Sequence, residues 1–176
     1  MTTNLSWTDI QQGCDTIVQG LKQDNWKPNY IVGLSRGGLI PAVMISHATM
    51  VPVVPLTVTL RDHSITESNI LFAKDAFGAV YDSTGELVFS QAKKNILIVD
   101  DINDSGATLS WIKDDWRQLS NDIETPDESI WHCNVRIAVL VNNTHSKETI
   151  DYYHFNIDKQ KDNSWIVFPW EDWWKT

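Results

Sequence analysis

The run Asn95-Ile96-Leu97-Ile98-Val99 is almost wholly apolar and ends abruptly at two adjacent carboxylates, Asp100-Asp101. With no polar side to offer water, it predicts a strand buried on both faces, the situation found inside a parallel sheet. The residues that follow, Ile102-Asn103-Asp104-Ser105-Gly106-Ala107-Thr108, turn small and polar, and a helix is expected to start near Thr108. A buried strand, a carboxylate pair and a glycine-containing helix entry therefore stand next to one another.

The rest of the chain repeats this alternation. Ser6, with Asp9 three residues on, is a capping-box-like start, and Ile10, Cys14, Ile17, Val18 and Leu21 recur behind it at helical spacing. After Pro28, Tyr30-Ile31-Val32-Gly33-Leu34 reads as a strand ending in the glycine turn Ser35-Arg36-Gly37-Gly38. A helix from about Leu39 to Ala48 follows, with Pro41 in its first turn, where a missing N–H costs nothing. Val51 to Leu60 reads as a strand that Pro52 and Pro55 confine to an edge or to its early part.

From Arg61 to Lys94 the only clear pattern is a hairpin, Val80-Tyr81 and Leu87-Val88-Phe89 around Asp82-Ser83-Thr84-Gly85, inside a long excursion of the functional or mobile kind. Asn121 to Ser129, with Pro126, reads as a loop, Val135 to Val141 as a core strand, and Ser164 to Trp170 as an apolar, aromatic tail. Helices alternating with short apolar strands predict an α/β fold with a mainly parallel sheet, whose ligands bind at the carboxyl ends of the strands. At 176 residues the expectation is a single domain over residues 1–176.

The net charge of −9 disfavours a nucleic-acid surface, which needs clustered Lys and Arg. An anionic ligand must then be held locally, by helix N-termini, a metal or a few placed cations. Cys14 and Cys133 lack metal-ligand or disulfide-framework spacing and read as unreactive thiols, and the five histidines show no ligand spacing. With no leader-like N-terminus and no run of about 20 apolar residues, the protein is expected to be soluble and cytoplasmic, without membrane partners.

Residues Ile98 to Thr108 have the chemistry of a sugar-phosphate cradle. N–H groups from Asp104 to Thr108 at a helix start favour an anion, Gly106 permits close backbone approach, and the Ser105 and Thr108 hydroxyls donate to phosphate oxygens. Carboxylates just before it can accept hydrogen bonds from vicinal hydroxyls and approach a divalent cation. The spacing is that of neither a P-loop nor a dinucleotide fingerprint.

The stretch resembles the 5-phosphoribosyl-1-pyrophosphate (PRPP) motif of the type I phosphoribosyltransferases: strand, Asp-Asp, three residues to Ser-Gly, then Thr. The resemblance implies that Asp100 and Asp101 meet the ribose hydroxyls and that Asp104, Ser105, Gly106, Ala107 and Thr108 hold the 5′-phosphate. It further implies a Mg2+ ion approached by Asp101. Ser35, Arg36 and Gly37 resemble the family's pyrophosphate loop, in which a strained peptide precedes Arg, and Arg36 would steady charge on the leaving group. The excursion corresponds to a flexible hood over the site, from which Arg61 is a further candidate for pyrophosphate.

The C-terminal Asn163-Ser164-Trp165-Ile166-Val167-Phe168-Pro169-Trp170-Glu171 resembles the end of the xanthine-guanine and hypoxanthine branch. The base-binding segment is placed at about 152–176: Trp165 stacks on a purine, the Ile166 backbone binds its edge, and Asp104 is the candidate catalytic residue near purine N7. Where those enzymes carry a Lys for the 6-oxo group, this chain has Asn143, whose amide can donate to an oxo group or accept from an amino group; Lys147, four residues along, is not assumed to substitute. Resemblance thus implies transfer of phosphoribose from PRPP to a purine base by a homodimer or homotetramer. A PRPP-binding regulator of the same fold, or a transferase for a non-purine acceptor, remains open.

Overall fold

In the computed structural model, residues 2–58, 70–89, 92–122 and 130–175 are described. In chain order they form β1 (Thr2–Asn4), α1 (Trp7–Gln23), β2 (Tyr30–Ser35), α2 (Leu39–Thr49), β3 (Val53–Thr57), α3 (Ile70–Phe77), β4 (Ala79–Tyr81), β5 (Leu87–Phe89), β6 (Ile96–Asn103), α4 (Ala107–Asp122), β7 (Val135–Asn143), β8 (Tyr152–Ile157) and β9 (Trp165–Val167).

The central sheet has the order β3-β2-β6-β7-β8, and every pairing in it is parallel. Side chains along β6 alternate between two cores. Ile96 and Ile98 pack on one face with Leu109, Ile112 and Trp116 of α4; Leu97 and Val99 pack on the other with Ile17 of α1 and Ala42 and Ile45 of α2. All four β6 residues are at most 1% exposed, which explains why this strand has no polar face; each contributes about 1.5–3 kcal/mol by leaving water. The α1 capping box forms, with Ser6 Oγ accepting from Asp9 N at 3.2 Å and Asp9 Oδ2 from Ser6 N at 2.7 Å.

The chain leaves β2 toward β3 on one side, whereas β6, β7 and β8 extend to the other. That reversal opens a crevice at the carboxyl ends of β2 and β6. β3 lies at the sheet edge, where Pro55 needs no ladder N–H on its free side.

The hairpin of the excursion is present as β4 and β5, with Asp82 Oδ1 accepting from Thr84 N and Glu86 N and Gly85 at φ +86°. It is preceded by α3, which the sequence pattern did not indicate: its residues are apolar almost all round, so no helical stripe stands out. Tyr30 donates to Asp75 of α3 at 2.9 Å. Arg61 and residues 59–69 lie outside the described residues.

Two further differences concern the C-terminal third. Tyr152–Ile157, expected within the base-binding segment, forms the outer strand of the central sheet against β7. β9 pairs in parallel with β1, so the first residues of the chain hold the aromatic tail in place. Among the described residues no helix is long and apolar enough to cross a membrane.

Candidate active site

The turn after β2 and the turn after β6 form the floor of the crevice. Between them backbone and carboxylates are in close contact: a Cβ on Gly37 would stand 1.7 Å from Asp101 Oδ2, and one on Gly38 would meet Val99 O at 2.6 Å and Asp100 Cα at 2.7 Å. Only glycine lets the β2 turn lie this close. The Ser35–Arg36 peptide within it is cis.

Asp100 and Asp101 end the buried stretch of β6. Burial, with the neighbouring Asp101 charge adding to it, pushes the Asp100 carboxyl well above the ordinary carboxylate range; burial pushes Asp101 up as well, helped by the charge of Glu171. Both ionised forms therefore stand to gain from a cation. Among the described residues no three His, Cys, Asp or Glu side chains gather to hold a metal by themselves. Hard oxygen donors of low number suit Mg2+, which keeps most of its coordination for water and phosphate oxygens. The residues present fit such an ion shared with a phosphate ligand.

Beyond the carboxylates, Gly106 takes φ +82° and α4 begins, with Ser110 N donating to Gly106 O at 2.9 Å. Asp104 to Thr108 line the crevice here, where the start of a helix favours an anion. The loop between β7 and β8 braces this turn from behind. Ser146 Oγ donates to Asn103 Oδ1 at 2.7 Å, and Asn103 Nδ2 donates to Asn142 Oδ1 at 2.9 Å and to Glu148 O at 3.1 Å. The Glu148 carboxylate accepts from Ser110 Oγ at 2.7 Å and pairs with Lys113 Nζ at 2.5 Å. Gly106 has no room for a side chain on that side, since its Cβ would lie 2.8 Å from Ser146 Oγ.

The crevice encloses about 1010 Å³ and continues into a recess of about 610 Å³, with Asp104, Ser105, Lys159 and Trp165 common to both. Ser35, Arg36, Gly37, Asp100, Asp101, Asp104, Ser105, Gly106, Ala107, Thr108, Trp165 and Ile166 all line the crevice, and Asn143 lines the recess. The sequence-predicted residues therefore converge on one place. Trp165 is 56% exposed there.

Several lining residues were not visible in the sequence. Lys159 reaches back to Asp104 Oδ2 at 2.8 Å and lies over Trp165, 5.8 Å from the ring centroid. It falls within the expected base-binding segment, but the charged run Asp158-Lys159-Gln160-Lys161-Asp162 does not single it out. Glu171 comes near Asp101 from the tail and fastens it by accepting from Phe168 N at 2.9 Å. Away from the site, burial pushes the Cys14 thiol up to about 12, whereas Cys133 is exposed.

The sequence profile of the phosphoribosyl transferase domain matches residues 6–172, which spans both turns and the tail. The chain belongs to the phosphoribosyl transferase family. Among curated relatives of this phosphoribosyl transferase domain, the hypoxanthine-guanine phosphoribosyltransferase of Saccharomyces cerevisiae is 26% identical over 95% of the chain and 84% of its own length. The xanthine-guanine phosphoribosyltransferase of Cereibacter sphaeroides is 24% identical over 96% of the chain and 86% of its own. A solved purine phosphoribosyltransferase from Pyrococcus horikoshii shares the fold, with a TM-score of 0.61 and 24% identity over 97% of this chain and 94% of that one.

Proposed function

We propose that this chain transfers the 5-phosphoribosyl group of PRPP to a purine base, releasing pyrophosphate and forming a nucleoside monophosphate, a purine-salvage reaction. The observation that carries the reading is the meeting of two phosphate-type turns at the sheet's order reversal with an aromatic-sided recess at one end. The purine phosphoribosyltransferases among its relatives point the same way.

In this reading the α4 entry, Asp104 to Thr108, holds the 5′-phosphate, and Asp100 and Asp101 accept hydrogen bonds from the ribose hydroxyls. The backbone of Ser35, Arg36 and Gly37 faces the pyrophosphate, and the Arg36 guanidinium steadies charge on it as it departs. Asp101 would help hold Mg2+, which supplies charge neutralisation on the diphosphate. The base stacks on Trp165, with the Ile166 backbone along its edge. One of its ring nitrogens bonds to C1′ as the bond from C1′ to the pyrophosphate oxygen breaks, the electron pair leaving with pyrophosphate. In the same step Asp104 receives the proton lost from the base.

The same reading includes a homodimer or homotetramer, in keeping with exposed Val43 and Met50 at α2 and Val54 on the edge strand β3; light scattering tests it. The activity is tested by pyrophosphate release from PRPP and Mg2+ with guanine, xanthine, hypoxanthine, adenine or uracil in turn. Release with a 6-oxopurine is the expected result. PRPP binding without release for any base would replace the enzyme with a regulator, and release with uracil alone would replace the purine acceptor.

A further inference from the structure

Asn143 occupies the position at which a base-contacting donor was expected, but its amide is turned toward backbone. Asn143 Nδ2 donates to Asp104 O at 3.0 Å, its Oδ1 accepts from His145 N at 3.3 Å and Lys159 N at 3.4 Å, and the residue is 8% exposed. It ties together three pieces of the recess wall.

One of those pieces is the turn after β8, closed by Lys161 N and Asp162 N donating to Asp158 O. This turn sends the Lys159 side chain inward. The Lys159 side chain is 17% exposed, and its ammonium lies between the Asp104 carboxylate at 2.8 Å and the Trp165 ring. The other lysine lining the recess, Lys147, is exposed. An ammonium has three N–H donors and no acceptor. Asp104 takes one, so the remaining donors can serve an exocyclic oxygen on a base lying along Trp165, and they oppose an exocyclic amino group at the same place.

We propose that Lys159 is the specificity-determining residue of the base recess, selecting an oxo-substituted purine over an amino-substituted one, while Asn143 positions the Lys159 turn beside Asp104. This rests on the purine reading above. The donor thus enters from the turn after β8, directly beside Asn143, the chain position at which the sequence suggested it.

The test compares IMP, which carries the 6-oxo group, with AMP, which carries an amino group there. Calorimetric titration gives the affinity of each for wild type, Lys159→Gln, Lys159→Met and Asn143→Ser, with thermal unfolding as the control for folding. The expected result is a wild-type preference for IMP that falls about 10- to 100-fold in both Lys159 variants, the loss of a charge-assisted hydrogen bond. AMP affinity stays within about threefold of wild type, and Asn143→Ser loses part of the preference, less than either Lys159 variant, because the Lys159 turn is then held less firmly. A wild type that binds neither nucleotide sinks the purine reading and the proposal with it. A wild type that binds IMP and AMP alike, or a preference that persists in both Lys159 variants, overturns the Lys159 assignment alone; so does a preference lost in Asn143→Ser but kept without Lys159.

Discussion

The floor of the crevice and the wall of its recess are built in contrasting ways. The floor comes from two short turns, each contiguous in sequence and each placed by the end of a buried strand. The wall is gathered from the ends of β7 and β8 and from the tail, held by hydrogen bonds between residues far apart in the chain, such as Asn143 with Asp104 and Lys159 with Asp104. A floor of this kind is inherited from the sheet, whereas the wall can change its chemistry by moving one turn. Phosphoribose binding should therefore be intolerant of small changes, and base choice comparatively free.

The largest expected effect falls on the floor. Gly37→Ala places a methyl group where Asp101 Oδ2 stands, 1.7 Å away, so either the carboxylate or the turn must move. A displacement of about 1 Å at a reacting centre costs on the order of 100-fold in rate. Steady-state kinetics should show that loss with every base alike; a loss confined to one base would put the boundary between floor and wall in the wrong place.

A smaller effect is expected where the two regions are joined. Glu148→Gln keeps an acceptor for Ser110 but leaves the Lys113 ammonium, whose side chain is 17% exposed, without its anion. Denaturant unfolding should report a loss of about 2 kcal/mol. The Michaelis constant for PRPP should rise, because the brace behind the α4 entry loosens, while preference among bases stays as in wild type.

The smallest effect lies outside both regions. Ser6→Ala removes the α1 cap and should lower stability by about 1 kcal/mol, leaving kinetics for PRPP and for bases unchanged. A change in base kinetics would mean that the β1 contact with β9, close behind that cap, transmits to the recess.

This contrast also explains what could be read from the chain alone. Ile96 to Val99 is buried on both faces and therefore apolar throughout, so the buried part of β6 and the carboxylates ending that part were recognisable. Residues Tyr152–Ile157 form an outer strand with only Tyr152 fully buried, and no regular alternation marks them. β1 is exposed at all three residues and held through its backbone pairing with β9, an interaction that leaves no trace in side-chain pattern. Lys159 looked like any lysine in a charged turn because its partner, Asp104, lies 55 residues earlier. Asn143 was expected to meet the base, but the direction of its amide depended on three backbone groups that the fold brings to it.

The most direct test of the account is a crystal structure of the protein with IMP. It should show the 5′-phosphate at the α4 entry from Asp104 to Thr108, the ribose hydroxyls at Asp100 and Asp101, and the base along Trp165 with its oxygen toward Lys159. A nucleotide bound with its phosphate away from that entry, or with its base outside the recess, would contradict the account.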